Sequence, residues 1–130
     1  MRFENVISSV MSLFTSAGWK ANSIPTFPGN YTEIRNNEYV RVNTILGNSS
    51  TFSQHNGLIS VDIFVPTNTS VKRTTQIADM LSTLLECKTI KLSEGTLQTS
   101  QGSLSNGRLD PASSTLWRAT YSIPFTFYEV

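Results

Sequence analysis

The sequence predicts an α+β fold: a mainly antiparallel or mixed sheet with two helices packed on one face. Three observations lead there. Residues 3–14 carry apolar side chains at helical spacing. Residues 57–65 alternate, stop at Pro66, and give way across a short polar turn to a second helical stripe. Residues 117–128 alternate apolar and polar over their whole length. Each amphipathic helix needs a surface to bury against, and one sheet face serves both.

The first helix places Phe3, Val6, Ile7, Val10, Met11 and Phe14 on one side and Ser8, Ser9, Ser12 and Thr15 mostly on the other. Gly18 supplies a C-terminal stop, and Trp19 begins the exit. Residues 21–37 hold Pro25, Pro28, Gly29 and several Asn, and read as an irregular connection with a short extended piece at 24–27. Residues 39–46 form a strand with Val40 and Val42 on one side, and 47–56 a polar loop. The strand at 57–65 returns with Ile59, Val61, Ile63 and Val65 on one face, completing a hairpin.

The second helix runs through 77–85, with Thr74, Ile77, Ala78, Leu81, Leu84 and Leu85 on its stripe and a cap from Asn68, Thr69 or Ser70. Residues 89–92 and 96–98 are short strands around Glu94 and Gly95. Residues 99–115 are a long polar segment containing Gly102, Gly107 and Pro111, and a loop of that length tends to be functional. The last strand puts Trp117, Ala119, Tyr121, Ile123, Phe125 and Phe127 on one face and Arg118, Thr120, Ser122, Thr126 and Tyr128 on the other. Pro124, on that second face, lacks an N–H and argues for an edge position or a bulge. The order is α, β, β, α, β, β, β, in a single domain spanning 1–130.

A chain of 130 residues buries a sizeable core. The mean hydropathy of −0.13 fits a soluble protein, no apolar run reaches transmembrane length, and the N-terminus lacks the layout of a signal peptide. Ten Lys and Arg balance nine Asp and Glu, so no basic block of nucleic-acid-binding type exists; Lys72 and Arg73 read as a solvated helix face. A lone cysteine, Cys87, excludes an intramolecular disulfide and fits a reducing cytosol. The sequons at Asn30, Asn48 and Asn68 read as loop chemistry in a Ser- and Thr-rich chain.

Chemistry is sparse. His55 is the lone histidine, in a polar loop, without a nucleophile marked by motif beside it. Cys87 follows an apolar helix end and reads as a buried or half-buried structural thiol. Asp62 lies mid-strand, opposite in face to Val61 and Ile63, and reads as outward and solvated. The carboxylates are too scattered for a metal site, Asn106 and Gly107 mark a turn and not a phosphate cradle, and the aromatic face of the last strand reads as core. Neither catalytic residue nor cofactor is expected.

The pattern Gly57…Val61-Asp-Ile-Phe-Val-Pro66, then Ile77-Ala-Asp79…Leu84, then Trp117…Ile123-Pro-Phe125 resembles the tail terminator, or tail completion, proteins of long-tailed bacteriophages. Ala78-Asp79 and the Ile123-Pro-Phe125 ending match best, and the likeness covers most of the chain. Related proteins often carry glycines in the turn after the strand proline; Asn68 and Ser70 stand there instead, and Asn tolerates the left-handed conformation. The resemblance implies a structural virion protein, assembled in the host bacterial cytoplasm and located at the head-proximal end of the tail. It implies a homo-oligomeric ring, typically six subunits, seated on the major tail tube protein. That ring stops tube polymerisation and presents a surface to the head connector or neck protein. DNA only passes through the lumen, and no membrane is involved. The candidate contacts are Ser49, Phe52 and Gln54 in the first loop and Gln101, Leu104, Arg108 and Asp110 in the second. A head–tail connector or tube-type protein is the competing reading, and a small hydrolase a third.

Overall fold

The computed structural model describes residues 2–29, 37–51, 54–67, 71–92, 95–105, 107–110 and 113–129, and side chains at all of these but 2, 3, 5, 48–51, 71, 92, 108–110, 113–115 and 129. The helices are α1 (Arg2–Leu13), α2 (Ala17–Lys20) and α3 (Val71–Leu85). The strands are β1 (Thr26–Pro28), β2 (Tyr39–Thr51), β3 (Gln54–Pro66), β4 (Thr89–Leu92), β5 (Gly95–Thr99), β6 (Ser103–Leu104), β7 (Arg108–Asp110) and β8 (Ser113–Glu129). The fold is α+β, as the sequence predicts.

One mixed sheet runs β1-β2-β3-β8-β5-β4. Among the described strands, only β1 is parallel to its neighbour. β3 and β8 pair without interruption from Gln54↔Tyr128 to Pro66↔Leu116. β5, β6 and β7 follow one another along the opposite edge of β8.

Period-two alternation sends Val40 and Val42, then Ile59, Val61 and Ile63, then Tyr121, Ile123, Phe125 and Phe127 to one face, where Val6 and Val10 of α1 and Ile77, Leu81 and Leu85 of α3 cover them. Most of these side chains are fully buried. Burying a single Val, Leu, Ile or Phe stabilises by roughly 1.5–3 kcal/mol, so this layer holds the fold.

The first helix does not stop at Gly18. It ends at Leu13, where the Ser16 hydroxyl donates to the Leu13 carbonyl at 2.8 Å. Ser16, extended at φ −67° and ψ 153°, then caps α2, which includes Gly18. The short helix buries Trp19, whose Nε1 donates to Thr26 Oγ1 at 2.8 Å and whose ring meets Phe14 edge-on at 5.5 Å.

Residues 47–51 and 54–56 are not loop. They extend β2 and β3, with shifts of register between Leu46 and Ser49 and between Ser49 and Thr51. Asn48 therefore lies in a strand. The expected cap at Asn68, Thr69 or Ser70, the left-handed turn there, Glu94, Asn106 and Pro111 fall outside the described residues.

The described parts of 99–115 are likewise tied down, in β6, β7 and the start of β8. Ser105 N donates to Thr120 O at 2.9 Å. The Glu86 carboxylate, just past α3, accepts from Ser82 Oγ and from the Gly102 amide. Pro124 lies in central β8, not at an edge or bulge. Its carbonyl accepts from Ser100 N at 3.3 Å, so its nitrogen faces the stretch between β5 and β6, where a missing donor breaks the partner strand rather than its own.

Candidate functional site

The alternation that fills the core also fixes what faces away from the helices. Cross-strand register arranges that second face into rows. Tyr39, Phe64 and Arg118 form the first row, Arg41, Asp62 and Thr120 the second.

These two rows make a small core of their own. Tyr39 stacks on Phe64 with ring centres 4.5 Å apart and planes 12° apart, Phe27 meets Tyr39 edge-on at 5.8 Å, and Leu116 is buried with them. The guanidinium carbons of Arg41 and Arg118 sit 5.3 and 5.5 Å from the Phe64 ring centre, within cation–π range. Both arginines hold Asp62. Its Oδ2 accepts from Arg41 Nε at 3.3 Å and Arg41 Nη2 at 3.0 Å and is ion-paired with Arg118 Nη2 at 3.2 Å, and its Oδ1 accepts from Thr120 Oγ1 at 3.1 Å.

Asp62 therefore faces away from the helices as expected, but it is not solvated: 7% of it is exposed. A carboxylate can be buried this far only because opposite charges and a hydroxyl replace its water.

Beyond this cluster the face opens. Asn43, Ser60 and Ser122 align, then Ile45, Leu58 and Pro124. Asn56, Thr126 and Gln98 follow, then Gln54, Tyr128 and Thr96. These four rows of three carry no charged residue. Ile45 is 50% exposed and Tyr128 39%.

The candidate contacts do not converge. Gln54 joins the last row, opposite Tyr128. Ser49 pairs with His55 near the hairpin end, and Phe52 lies outside the described residues. Gln101 is exposed between β5 and β6, and Leu104, in β6, is 41% exposed. Arg108 pairs with Arg118 and Asp110 with Ser113 in β7. The two groups lie toward opposite ends of β8, whose 17 residues span about 55 Å. Sequence reasoning missed Arg41 and Arg118 as partners of Asp62, and the row in which exposed Ile45 and Pro124 flank half-buried Leu58. The outward parity of Asp62 was the one available signal.

Other readings need correction. His55 lies on β3, 4% exposed, not in a loop. Cys87 is exposed, at φ 53°, not buried. Arg73 is not simply solvated: its Nη2 lies 2.6 Å from Glu38 Oε2, and this hydrogen bond raises its pKa. The Ser82 hydroxyl, then the Gly102 amide, hold the Glu86 carboxyl below its usual range. Burial, then the Glu86 charge, pushes the Tyr121 hydroxyl well up.

A cleft of about 460 Å³ between α2 and α3 is lined by Gly18, Trp19, Asn22, Met80, Thr83, Leu84 and Lys88. Among the described residues, no group of three or more His, Cys, Asp or Glu could hold a metal, and no helix is long and apolar enough to cross a membrane.

No family model and no curated protein matches this chain. Solved structures do. One, a protein whose name states no activity, is 11% identical with a TM-score of 0.66, over 91% of this chain and 86% of that one. At that identity the likeness concerns the fold alone.

Proposed function

We propose that this chain is a structural virion protein of the tail-terminator kind. It forms a ring at the end of a phage tail tube, stops tube polymerisation, and offers the surface to which the head connector attaches. The observation that carries this reading is the sheet whose described helices all cover one face, while the other face is partly exposed and uncharged over four rows. A subunit working alone gains nothing from such a face; one that assembles covers it. The sequence motifs that resemble terminators lie in β3, α3 and β8, the elements that build this sheet and its cover. The near-neutral chain, net +1, suits a lumen through which DNA passes without sticking. The role needs no catalytic group, cofactor or membrane.

The test is particle assembly without this gene. Overlong or irregular tails, separate from DNA-filled heads, are expected, with joining restored by purified protein. Normal tails joined to heads would overturn the reading. Tails of normal length that fail to join would favour a head–tail connector.

A further inference from the structure

We propose that the cleft between α2 and α3 binds a small amphipathic anion, of the aromatic carboxylate class. This goes beyond the role proposed above and does not depend on it.

Size is the first argument. At about 460 Å³ the cleft falls within the range of ligand pockets, whereas packed interiors leave few voids larger than a water. Its walls are two helices and the turns that leave them: Trp19 on α2 and Asn22 just after it, Met80 and Leu84 on α3 and Lys88 just after it. Gly18 keeps the space open. A Cβ built there meets nothing within 4 Å, so no neighbour takes the room that the missing side chain leaves.

The floor is apolar and fixed. Met80 and Leu84 are half-buried and pack against the core. Trp19 is pinned by its Nε1 bond to Thr26 and by the edge-on ring of Phe14, so its one donor is already used and it offers carbon to the cleft. A flat hydrocarbon ring suits such a floor.

The rim is polar and one-sided in charge. Lys88 is the ionic group that lines it. The Lys88 amide donates to Thr99 Oγ1 at 3.0 Å and its carbonyl accepts from Thr99 N at 2.9 Å, so the side chain starts from a fixed point. Among the described residues, no salt bridge reaches Lys88. The nearest carboxylates in sequence do not serve it: Glu86 is held by Ser82 and Gly102, and Asp79 is exposed and outside the lining. Thr83 donates its hydroxyl to the Asp79 carbonyl at 3.1 Å. The Asn22 amide remains as a second donor beside the ammonium, and a carboxylate matches that pair. Lys20, the neighbour of Trp19 in α2, adds to the positive field and disfavours a cationic ligand.

The backbone supplies an independent sign. Among the described residues, the non-glycine residues at positive φ are Ser23, at 56°, and Cys87, at 53°. Ser23 follows Asn22 and Cys87 precedes Lys88, so each rim donor stands beside a left-handed residue where glycine would be easier. Sparsely populated backbone of this kind gathers at ligand clamps.

An NMR titration of the full chain with naphthoate tests this, with naphthamide as its uncharged twin. Naphthoate is expected to shift the Trp19 indole and Met80 methyl signals, with a Kd of about 1 mM or tighter for a ligand of about 13 non-hydrogen atoms. Naphthamide on the wild type, and naphthoate on Lys88→Gln, should each bind about two- to fivefold more weakly, the range of an ion pair near the surface. Gly18→Leu, which fills the cleft, should abolish the shifts. If that variant fails to fold, nuclear Overhauser contacts from the naphthyl protons to the Met80 and Leu84 methyls in the wild type decide instead, and their absence would overturn the proposal. So would shifts confined to other parts of the chain, equal affinity for naphthoate and naphthamide, or unchanged binding by a folded Gly18→Leu.

Discussion

The ring of Phe125 lies across Gly57, its partner in the β3–β8 ladder, so closely that a Cβ at Gly57 would meet Phe125 Cζ at 2.6 Å and the Ile45 carbonyl at 2.6 Å. The glycine is there because an aromatic side chain occupies the space its own would take.

Phe125→Ala should cost about 3–5 kcal/mol, as large-to-small changes in packed cores do. Gly57→Ala should also destabilise, because the Ile45 carbonyl is backbone and cannot move aside. Tyr128→Ala, on the open face, should cost far less. Denaturant midpoints check all three; equal small losses for Phe125 and Tyr128 would contradict the assignment of faces.

Asp62→Ala leaves two arginines facing each other with no shared acceptor. Breaking a buried ion pair costs about 3–5 kcal/mol; with the arginine side chains 23–25% exposed, the lower end is expected. A solvated strand aspartate would cost under about 0.5 kcal/mol. Urea unfolding distinguishes the two.

Residues 99–105 should be ordered in the isolated chain, contrary to what their composition suggests. Slow hydrogen exchange is expected at the Gly102 and Ser105 amides. Glu86→Gln should speed exchange at Gly102. The Glu86 pKa is lowered by folding, so its contribution is complete above the unfolded glutamate value and is lost as pH falls through the lower folded one. Exchange at Gly102 that rises already between pH 8 and pH 6 would speak against this anchor.

Cys87 should react with a maleimide in the folded protein, because it is exposed. Its φ of 53° suits glycine, so Cys87→Gly should hold or raise stability, by up to about 1 kcal/mol. A clear loss of stability would show that the thiol packs against something.

The parts of this fold that were legible are those in which one face is dry. Trp117 to Phe127 announce their faces because every second side chain meets the helices. Residues 47–51, 54–56 and 103–104 hid their strands because Ser, Asn and Gly there read as loop. Asp62 was placed on the right face but in the wrong medium. Its partners stand 21 and 56 positions away, and only the register of three strands brings them together. Pro124 misled for a related reason: whether a missing donor harms its own strand depends on what lies beside it.

The strand at the centre of the sheet is the last element in chain order. Its ladder with β3 joins residues from 50 to 74 positions apart, from Pro66↔Leu116 to Gln54↔Tyr128. Every earlier element must wait for it. α1 and α3 have half a floor to rest on until β8 arrives, and loop closure over such spans is slow, on the order of milliseconds to seconds for folds of this kind. Synthesis thus acts as its own checkpoint: a chain broken off before residue 113 lacks the middle of its sheet rather than a margin, and cannot pass as a slightly shortened copy of the whole.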